Sequence, residues 1–280
     1  MKNVRLVLGS GGARGMAHIG VIEELEKEGF TIKEVAGCSM GAIVGGLYCA
    51  GHLVEYKHWL ISLSRFDVFK LLDFTLSTQG FVKGDRVFKA IEQLTAVASD
   101  LTTRQEIYFR SGSLFKALRA SIAIPTIFTP VIEGQKQLVD GGVLNPLPLN
   151  LVKRDPEEWL VAVNLNANVP EVKKNSEPIV VNEERGAYLR MIDQFKTQLL
   201  RFDSRAEETV EKLGLFDILN KSYDLTQDRL TELMIEVHKP DLVIDIPRDA
   251  CGVFEFYRAN EVIEIGRNAF KKALGEKRKV

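Results

Sequence analysis

A serine flanked by glycines carries the strongest chemical signal in this chain. Ser39 occupies the centre of a Gly-x-Ser-x-Gly pentapeptide, with Gly37 before it and Gly41 after it. A short apolar run at 35–36 precedes the pentapeptide and an apolar stretch at 42–50 follows it. In a tight strand-to-helix turn such a serine projects its hydroxyl outward, because glycines remove the side chains that would collide there. The pattern predicts a nucleophilic serine on a nucleophile elbow.

A glycine-rich loop upstream predicts a second part of the same chemistry. An apolar strand pattern at 4–8 leads into Gly11, Gly12, Arg14 and Gly15, and a helical pattern begins directly afterwards. Backbone N–H groups at the start of a helix can point at developing negative charge when no side chain stands in the way. The loop is therefore interpreted as an oxyanion hole, with Arg14 adding positive charge. The alternative is a purely structural turn.

Two other uses of a glycine-rich loop are excluded by spacing. In a dinucleotide fingerprint that starts at Gly9, the sixth position should be a small residue, but it is Arg14. Counted back from Gly15, the first position is Ser10 instead of glycine. No Gly-Lys-Ser or Gly-Lys-Thr follows, which excludes a Walker A phosphate loop.

The serine also needs a residue that accepts its proton. The four histidines, His18, His52, His58 and His238, lie outside any motif. Asp140 is better placed, because it ends a strand-like run at 137–139 and is followed by Gly141 and Gly142. A carboxylate there can form a direct Ser-Asp dyad. It can equally cap an Asp-Gly turn, and the residues alone leave both interpretations open.

Together these motifs resemble the bacterial patatin-like phospholipases. The resemblance rests on three segments in order, 11–15, 37–41 and 140–142, and on further similar stretches at 98–101, 119–125 and 240–244. It implies a three-layer α/β fold, with a mostly parallel central sheet and helices on both faces. It also implies a lipid acyl hydrolase with Ser39 as nucleophile, Asp140 as base and the loop at Gly11 and Gly12 as oxyanion hole. The implied substrate is a phospholipid or another fatty-acyl ester.

The chain departs from the family pattern at two places. Ser10 stands where the family has the first glycine of its loop, and a small residue there is expected to preserve the loop. A helix pattern at 87–94 meets a strand pattern from Thr95 with no turn residue between them, where relatives have a longer connection. Either the connection is trimmed here or residues are missing from the sequence at this point.

Two further functions stay open at this stage. An acyltransferase would use the same dyad and pass the acyl group to an alcohol or a thiol instead of water. A regulatory or adaptor protein would keep the fold and contribute mainly a binding surface, although three intact motifs argue against it.

Composition sets the outer limits. The chain has 280 residues, 45% of them hydrophobic, and no linker, so we expect a single hydrolase domain over 1–280. The catalytic core is expected at about 1–165, and a C-terminal helical and strand extension at about 185–275. The formal net charge of −1 speaks against nucleic acid as a partner.

The remaining sequence features predict no accessory groups. Cys38, Cys49 and Cys251 are too scattered for a disulfide framework or a zinc site, so we expect neither metal nor cofactor. Cys38 is interpreted as a small packing residue. Without a signal peptide pattern or a run of about 20 apolar residues, the expected location is the cytoplasm.

Several segments bear on how a lipid would reach the site. The apolar stretch 55–79 predicts either a cap for acyl chains and membrane or a helix pair packed on the sheet; exposure of Phe69 and Phe74 separates the two. The polar stretch 166–184 predicts a mobile loop or lid. The basic tail at 271–279 offers a transient contact with anionic headgroups, although such tails are usually only solvated.

The hydrophobic pattern along the chain alternates between strands and helices, as in an α/β fold. Strands are predicted at 4–8, 106–110, 137–139, 159–165 and 241–246. Helices are predicted at 16–28, 42–50, 113–121, 186–213, 226–237 and 253–274. The continuous apolar run at 159–165 is typical of a central parallel strand covered on both faces.

Overall fold

The computed structural model describes residues 2–64, 93–125, 127–169 and 215–279, and these contain eight strands and six helices. The strands are β1 (Lys2–Leu8), β2 (Phe30–Cys38), β3 (Leu94–Asp100), β4 (Gln105–Phe109), β5 (Val131–Glu133), β6 (Lys136–Asp140), β7 (Trp159–Ala167) and β8 (Leu242–Pro247). The helices are α1 (Ala17–Lys27), α2 (Met40–Cys49), α3 (Leu53–Ser62), α4 (Leu114–Ser121), α5 (Leu215–His238) and α6 (Ala259–Lys277).

The chain divides into two units. The first comprises Met1–Glu171 and Lys221–Val280, and it contains all eight described strands. The second comprises Val172–Asn220, of which the structure describes only the first residues of α5. The predicted single domain with a C-terminal extension stays a prediction.

One eight-stranded sheet forms the centre of the first unit. Its order is β5-β6-β3-β2-β1-β7-β8, and β4 pairs with β3 in addition. Pairing is parallel between β3, β2, β1, β7 and β8, and antiparallel where β3 meets β4 and β6 and where β5 meets β6. The carboxyl ends of β1 and β2 therefore lie at one edge of the sheet, where ligands bind in α/β folds.

Strand β3 joins the parallel and antiparallel parts of the sheet. Its first half, Leu94 to Val97, pairs with β2, and its last three residues pair with β6. Strand β4 pairs along Ala96 to Asp100, which overlaps both of these ranges. Because a strand has only two edges, β2 and β6 must follow each other along one edge of β3, opposite β4.

Apolar layers cover both faces of the sheet. On one face, Val4, Leu6 and Leu8 of β1 belong to a core that includes buried side chains of α1, α2, α4 and α6. On the other face, Val7 belongs to a smaller core with buried leucines of the segment 147–151 and Met234 of α5. This alternation is the period of two expected for a strand buried on both sides. The predicted three-layer α/β arrangement is confirmed.

Most predicted elements are present, but some bounds differ. The run at 159–165 forms β7, a parallel strand as predicted, and it pairs with β1 and β8. Leu94 opens β3 instead of ending a helix. Helix α5 begins at Leu215, well before 226. Helix α6 begins at Ala259 instead of 253, because Phe256–Arg258 forms a 3-10 turn and the carbonyl of Val253 accepts a hydrogen bond from Ala13.

Three predictions fall wholly or largely outside the described residues. These are the exposure of Phe69 and Phe74, most of the proposed loop or lid at 166–184, and the helix at 186–213. In the described parts of the chain, no helix has both the length and the apolar character that a membrane span requires.

Candidate active site

Ser39 lies at the sharp junction between β2 and α2. Its backbone has φ 54° and ψ −122°, a conformation that non-glycine residues rarely adopt. A Cβ on Gly37 would lie 2.5 Å from the carbonyl oxygen of Gly41, and a Cβ on Gly41 would collide with the carbonyl of Leu8. The two glycines are therefore needed for the turn to close, as expected for a nucleophile elbow.

The Ser39 hydroxyl faces a buried carboxylate. Ser39 Oγ donates a hydrogen bond of 2.5 Å to Oδ2 of Asp140, and the two residues are 4% and 1% exposed. Oδ1 of the same carboxylate accepts the N–H of Gly142 at 2.7 Å and lies 3.9 Å from Sγ of Cys38. Asp140 thus caps the Asp-Gly-Gly turn with one oxygen and meets Ser39 with the other. The sequence left open whether Asp140 forms a dyad with Ser39 or caps an Asp-Gly turn, and the structure shows that the two interpretations are compatible.

The register of β3 brings these two residues together. Cys38, the last residue of β2, is opposite Val97, and Asp140, the last residue of β6, is opposite Ala98. Because Val97 and Ala98 are consecutive, the ends of β2 and β6 meet on one edge of β3. The residue after Cys38 is Ser39, so this register places Ser39 beside Asp140.

Burial makes Asp140 a stronger base than a free aspartate. Desolvation raises the pKa of the Asp140 carboxyl to about 6, although its hydrogen bonds from Ser39, Gly142 and Cys38 act in the opposite direction. The site removes water from the carboxylate and so moves its pKa toward neutral pH, the range in which a general base works best.

The glycine-rich loop presents free backbone donors. Its flanking amides are used: the N–H groups of Gly9 and Ala13 donate to the carbonyls of Val163 and Val253. Among the described residues, the N–H groups of Gly11 and Gly12 meet no acceptor. Unused amides in a buried loop are what an oxyanion hole requires.

Close packing explains why this loop is made of glycines and where it lies. A Cβ on Gly11 would lie 2.6 Å from Cβ of Leu165, and Gly12 has φ 56°. A Cβ on Gly15 would collide with Met40, the residue after Ser39. The loop therefore packs directly against the elbow.

Arg14 supports the glycine-rich loop through hydrogen bonds. Its guanidinium donates to the carbonyls of Gly11 at 3.1 Å and Arg248 at 2.8 Å, and to Oδ1 of Asn166 at 3.1 Å. Asn166 in turn donates to the carbonyl of Ser10 at 3.2 Å. Arg14 thus positions the loop, and its direct electrostatic contribution to an oxyanion stays a prediction.

Ser10 keeps the backbone contacts of the loop. Its N–H donates to the carbonyl of Pro146 at 2.8 Å, and its buried hydroxyl has no partner among the described residues. The departure from glycine therefore leaves these backbone hydrogen bonds intact.

The histidines take no part in this constellation. None of the four is hydrogen-bonded to Ser39 or Asp140 in the described part of the chain. His18 is fully buried, with Nε2 2.9 Å from the carbonyl oxygen of Gly9, and burial lowers its pKa to about 4. It is therefore a neutral core residue beside the loop.

Ser121 is a contact that sequence reasoning missed. Its buried Oγ accepts the backbone N–H of Ser39 at 2.9 Å and so fixes the elbow from α4. It lies in the stretch 119–125, which had been noted only for its resemblance to the family. Nothing in that stretch predicts a contact with the nucleophile, because the two residues lie on different elements.

Helix α5 makes a second set of contacts that no sequence motif predicts. Gln227 donates from Nε2 to the carbonyl of Gly142 at 3.1 Å and to the hydroxyl of Tyr223 at 2.9 Å. One turn of helix thus reaches the Asp140 side of the site. The same helix pairs Asp228 with Arg248, whose carbonyl accepts from Arg14.

These parts can perform acyl transfer. A serine held on an elbow, a buried carboxylate in hydrogen-bond contact with it and unused amides packed against it are suited to the roles of nucleophile, base and oxyanion donors. The remaining glycine of the Asp-Gly-Gly motif fits the same arrangement, since a Cβ on Gly141 would lie 2.5 Å from the carbonyl oxygen of Val97.

Comparisons with known proteins identify the family to which this chain is similar. The sequence model of the patatin family, described as patatin-like phospholipase, matches residues 6–94 and 64–153. The uncharacterized NTE family protein Rv1063c of Mycobacterium tuberculosis is 34% identical over 327 residues, covering 97% of this chain and 91% of the relative. The lysophospholipase NTE1 of Debaryomyces hansenii is 27% identical over 187 residues, covering 59% of this chain and 12% of that protein.

A solved structure is also similar to this chain. The crystal structure of VipD from Legionella pneumophila aligns with a TM-score of 0.43 and 13% identity, covering 99% of this chain and 67% of the other.

Proposed function

Because this chain belongs to the patatin-like phospholipase family, we propose that it hydrolyses the carboxylic ester of a lipid, with Ser39 as nucleophile and Asp140 as base. The family points to lipid ester hydrolysis, and the geometry supports the assignment of residues. The observation that carries the proposal is the 2.5 Å hydrogen bond from Ser39 Oγ to Asp140 Oδ2 between two buried side chains. A hydroxyl in this contact can lose its proton at the moment of attack.

The first half of the reaction forms an acyl-enzyme. Asp140 accepts the proton of Ser39 as Oγ attacks the ester carbonyl, and the carbonyl oxygen becomes negatively charged. The free amides of Gly11 and Gly12 stabilise this oxyanion. In comparable sites one such donor is worth about 3–4 kcal/mol of transition-state stabilisation. Protonated Asp140 then gives its proton to the leaving alcohol.

The second half regenerates the enzyme. Asp140 accepts a proton from water, the hydroxide attacks the serine ester and the same amides stabilise the second oxyanion. A carboxyl group whose pKa is about 6 suits both roles, because it accepts a proton near neutral pH and releases it again. Every proton is moved by this one residue, so the mechanism invokes no cofactor.

The substrate class follows from the family and its relatives. One relative is named a lysophospholipase, so we take a phospholipid carrying one or two fatty-acyl esters as the substrate. Such a substrate resides in or near a lipid surface, which implies transient contact with a membrane.

Active-site labelling tests the assignment of both residues. A fluorophosphonate probe should form an adduct that maps to Ser39, and the adduct should be lost in Ser39→Ala and strongly slowed in Asp140→Asn. Release of fatty acid from lysophosphatidylcholine should fall by about 10⁴-fold in either variant. An adduct on another residue, or undiminished hydrolysis by Ser39→Ala, would contradict the proposal.

Two surface variants serve as matched controls. Ser62→Ala removes an exposed hydroxyl at the end of α3, and Asp249→Asn neutralises an exposed carboxylate. Both should hydrolyse and label like the wild type. The same assay with added alcohol separates hydrolysis from acyl transfer, since a transferase would form the alkyl ester in preference to free fatty acid.

A further inference from the structure

Among the described residues, the hydroxyl proton of Tyr223, which lies near the dyad, meets no acceptor. Its oxygen accepts a hydrogen bond of 2.9 Å from Nε2 of Gln227, and the same nitrogen donates to the carbonyl of Gly142 at 3.1 Å. A carbonyl oxygen can only accept, so the Gln227 amide nitrogen must face Gly142, and its second N–H then faces Tyr223. The hydroxyl proton of Tyr223 must point in another direction.

The second glycine of the Asp-Gly-Gly motif shows how near this hydroxyl is to the base. The position that a Cβ on Gly142 would occupy is 3.0 Å from the hydroxyl oxygen of Tyr223 and also 3.0 Å from Oδ1 of Asp140. The same position collides with Nε2 of Gln227. A glycine is therefore required here for both α5 side chains to pack against the Asp-Gly-Gly turn.

The environment keeps Tyr223 protonated and leaves its proton available. Burial, with the Asp140 carboxylate nearby, raises the pKa of Tyr223 far above its usual range. The carboxylate is already engaged by Gly142 and Ser39. Across the described residues, nothing accepts a hydrogen bond from the Tyr223 hydroxyl.

We propose that Tyr223 is a further catalytic residue, which donates a hydrogen bond to the leaving-group oxygen of the bound ester, and that Gln227 is its positioning residue. The inference rests on the proposed function. In that mechanism the leaving oxygen must come within reach of Asp140, because it receives its proton from that residue. A donor beside Asp140 is placed to meet the same oxygen.

The step balances without any further reactant. The bond between Ser39 Oγ and the acyl carbon has formed, and the bond between that carbon and the leaving oxygen breaks. The electron pair of the broken bond goes to the leaving oxygen, which takes the proton held by Asp140. Tyr223 keeps its own proton and stabilises the negative charge that develops on this oxygen before protonation is complete.

The proposal predicts a dependence on the leaving group. An alkyl alcohol is a poor leaving group, because its leaving oxygen develops negative charge that needs stabilisation. In 4-nitrophenolate this charge is delocalised into the ring, so the group leaves unaided. Tyr223→Phe should therefore lower kcat/KM for an alkyl ester by about 10- to 100-fold, the effect of one hydrogen bond to developing charge. It should leave a 4-nitrophenyl ester of the same acyl chain within about 2-fold of the wild type.

The experiment compares alkyl, phenyl and 4-nitrophenyl esters of one fatty acid in wild type, Tyr223→Phe and Gln227→Leu. Both variants should show a steeper dependence on leaving-group basicity, with the smaller change in Gln227→Leu. Tyr48→Phe removes a comparable hydroxyl that donates to Glu26 at the surface, and should match the wild type with all three esters. The rate at which the fluorophosphonate labels Ser39 reports that each variant is folded with a competent nucleophile.

The outcomes separate failure of this inference from failure of the proposed function. An equal loss of activity with all three esters would assign Tyr223 a structural role, and no loss with the alkyl ester would exclude the hydrogen bond. Either result leaves ester hydrolysis by Ser39 standing. If the wild type hydrolyses none of the esters and Ser39 is not labelled, the proposed function itself is wrong, and this inference with it.

Discussion

The backbone N–H of Ser39 donates to the side-chain oxygen of Ser121, at 2.9 Å, within a fully buried environment. This hydrogen bond ties the strained turn at Ser39 to helix α4. It also commits the amide of Ser39 to the fold, so this amide is not free to stabilise an oxyanion. The unused amides that we propose for that role are those of Gly11 and Gly12 on the glycine-rich loop.

Replacement of Ser121 by alanine should therefore damage the elbow. The variant leaves a buried N–H without a partner, which costs about 1–3 kcal/mol of unfolding free energy. The lost support for the turn should also lower kcat, by about 10-fold, with KM little changed. Chemical denaturation and ester hydrolysis measure the two effects.

Ser113 on the same helix provides the comparison. Its side chain accepts the N–H of Lys116 at the exposed start of α4, so Ser113→Ala should cost about 1 kcal/mol of stability and leave kcat unchanged. If both variants lost activity equally, Ser121 would have no special relation to the nucleophile.

Activity should rise with pH through the titration of Asp140. The carboxylate must be ionised to accept the proton of Ser39, and burial places its pKa at about 6. We expect kcat/KM to fall about tenfold per pH unit below that value and to level off above it. A profile measured with a 4-nitrophenyl ester checks this. A midpoint near 4 would show that the carboxyl is not desolvated in solution.

Stability should respond to pH in the opposite direction. The folded-state pKa of Asp140 is raised above its unfolded value of about 4. The favourable contribution of Asp140 to the free energy of unfolding is therefore complete below about pH 4. That contribution is lost as pH rises through about 6. Because Asp140→Asn removes the buried charge, the free energy of unfolding of the variant should exceed that of the wild type above pH 7, by roughly 1–3 kcal/mol.

The stability difference should disappear near pH 4, where the wild-type carboxyl is neutral. Urea unfolding at several pH values measures it. A pH-independent difference between Asp140→Asn and the wild type would contradict the assignment of the raised pKa to burial of this residue.

Gly142→Ala should disturb the site more than the small size of the added methyl group suggests. The added methyl group would collide with Gln227 and lie 3.0 Å from both Asp140 Oδ1 and the Tyr223 hydroxyl oxygen. We expect kcat/KM to fall by about 100-fold, because the base and the α5 side chains are displaced together. Gly275→Ala, where nothing lies within 4 Å, should instead stabilise α6 by about 0.5–1 kcal/mol without affecting activity.

The sequence by itself determined the features that depend on consecutive residues. The strained turn at Ser39 and the close packing of the loop at Gly11 and Gly12 follow from where glycines stand along the chain, since only those residues tolerate the close approaches involved. The parallel strand β7 could likewise be predicted from its continuous apolar run.

The tertiary structure alone decided which distant residues meet. The sequence placed Asp140 at a strand end but left its partner open, because the pairing depends on the register of β3, which sets Cys38 and Asp140 opposite neighbouring residues. The same holds for the contacts of Ser121 and Tyr223, which come from the packing of α4 and α5 against the sheet. Packing of this kind leaves no local pattern, because its geometry is fixed by contacts between residues far apart in the chain.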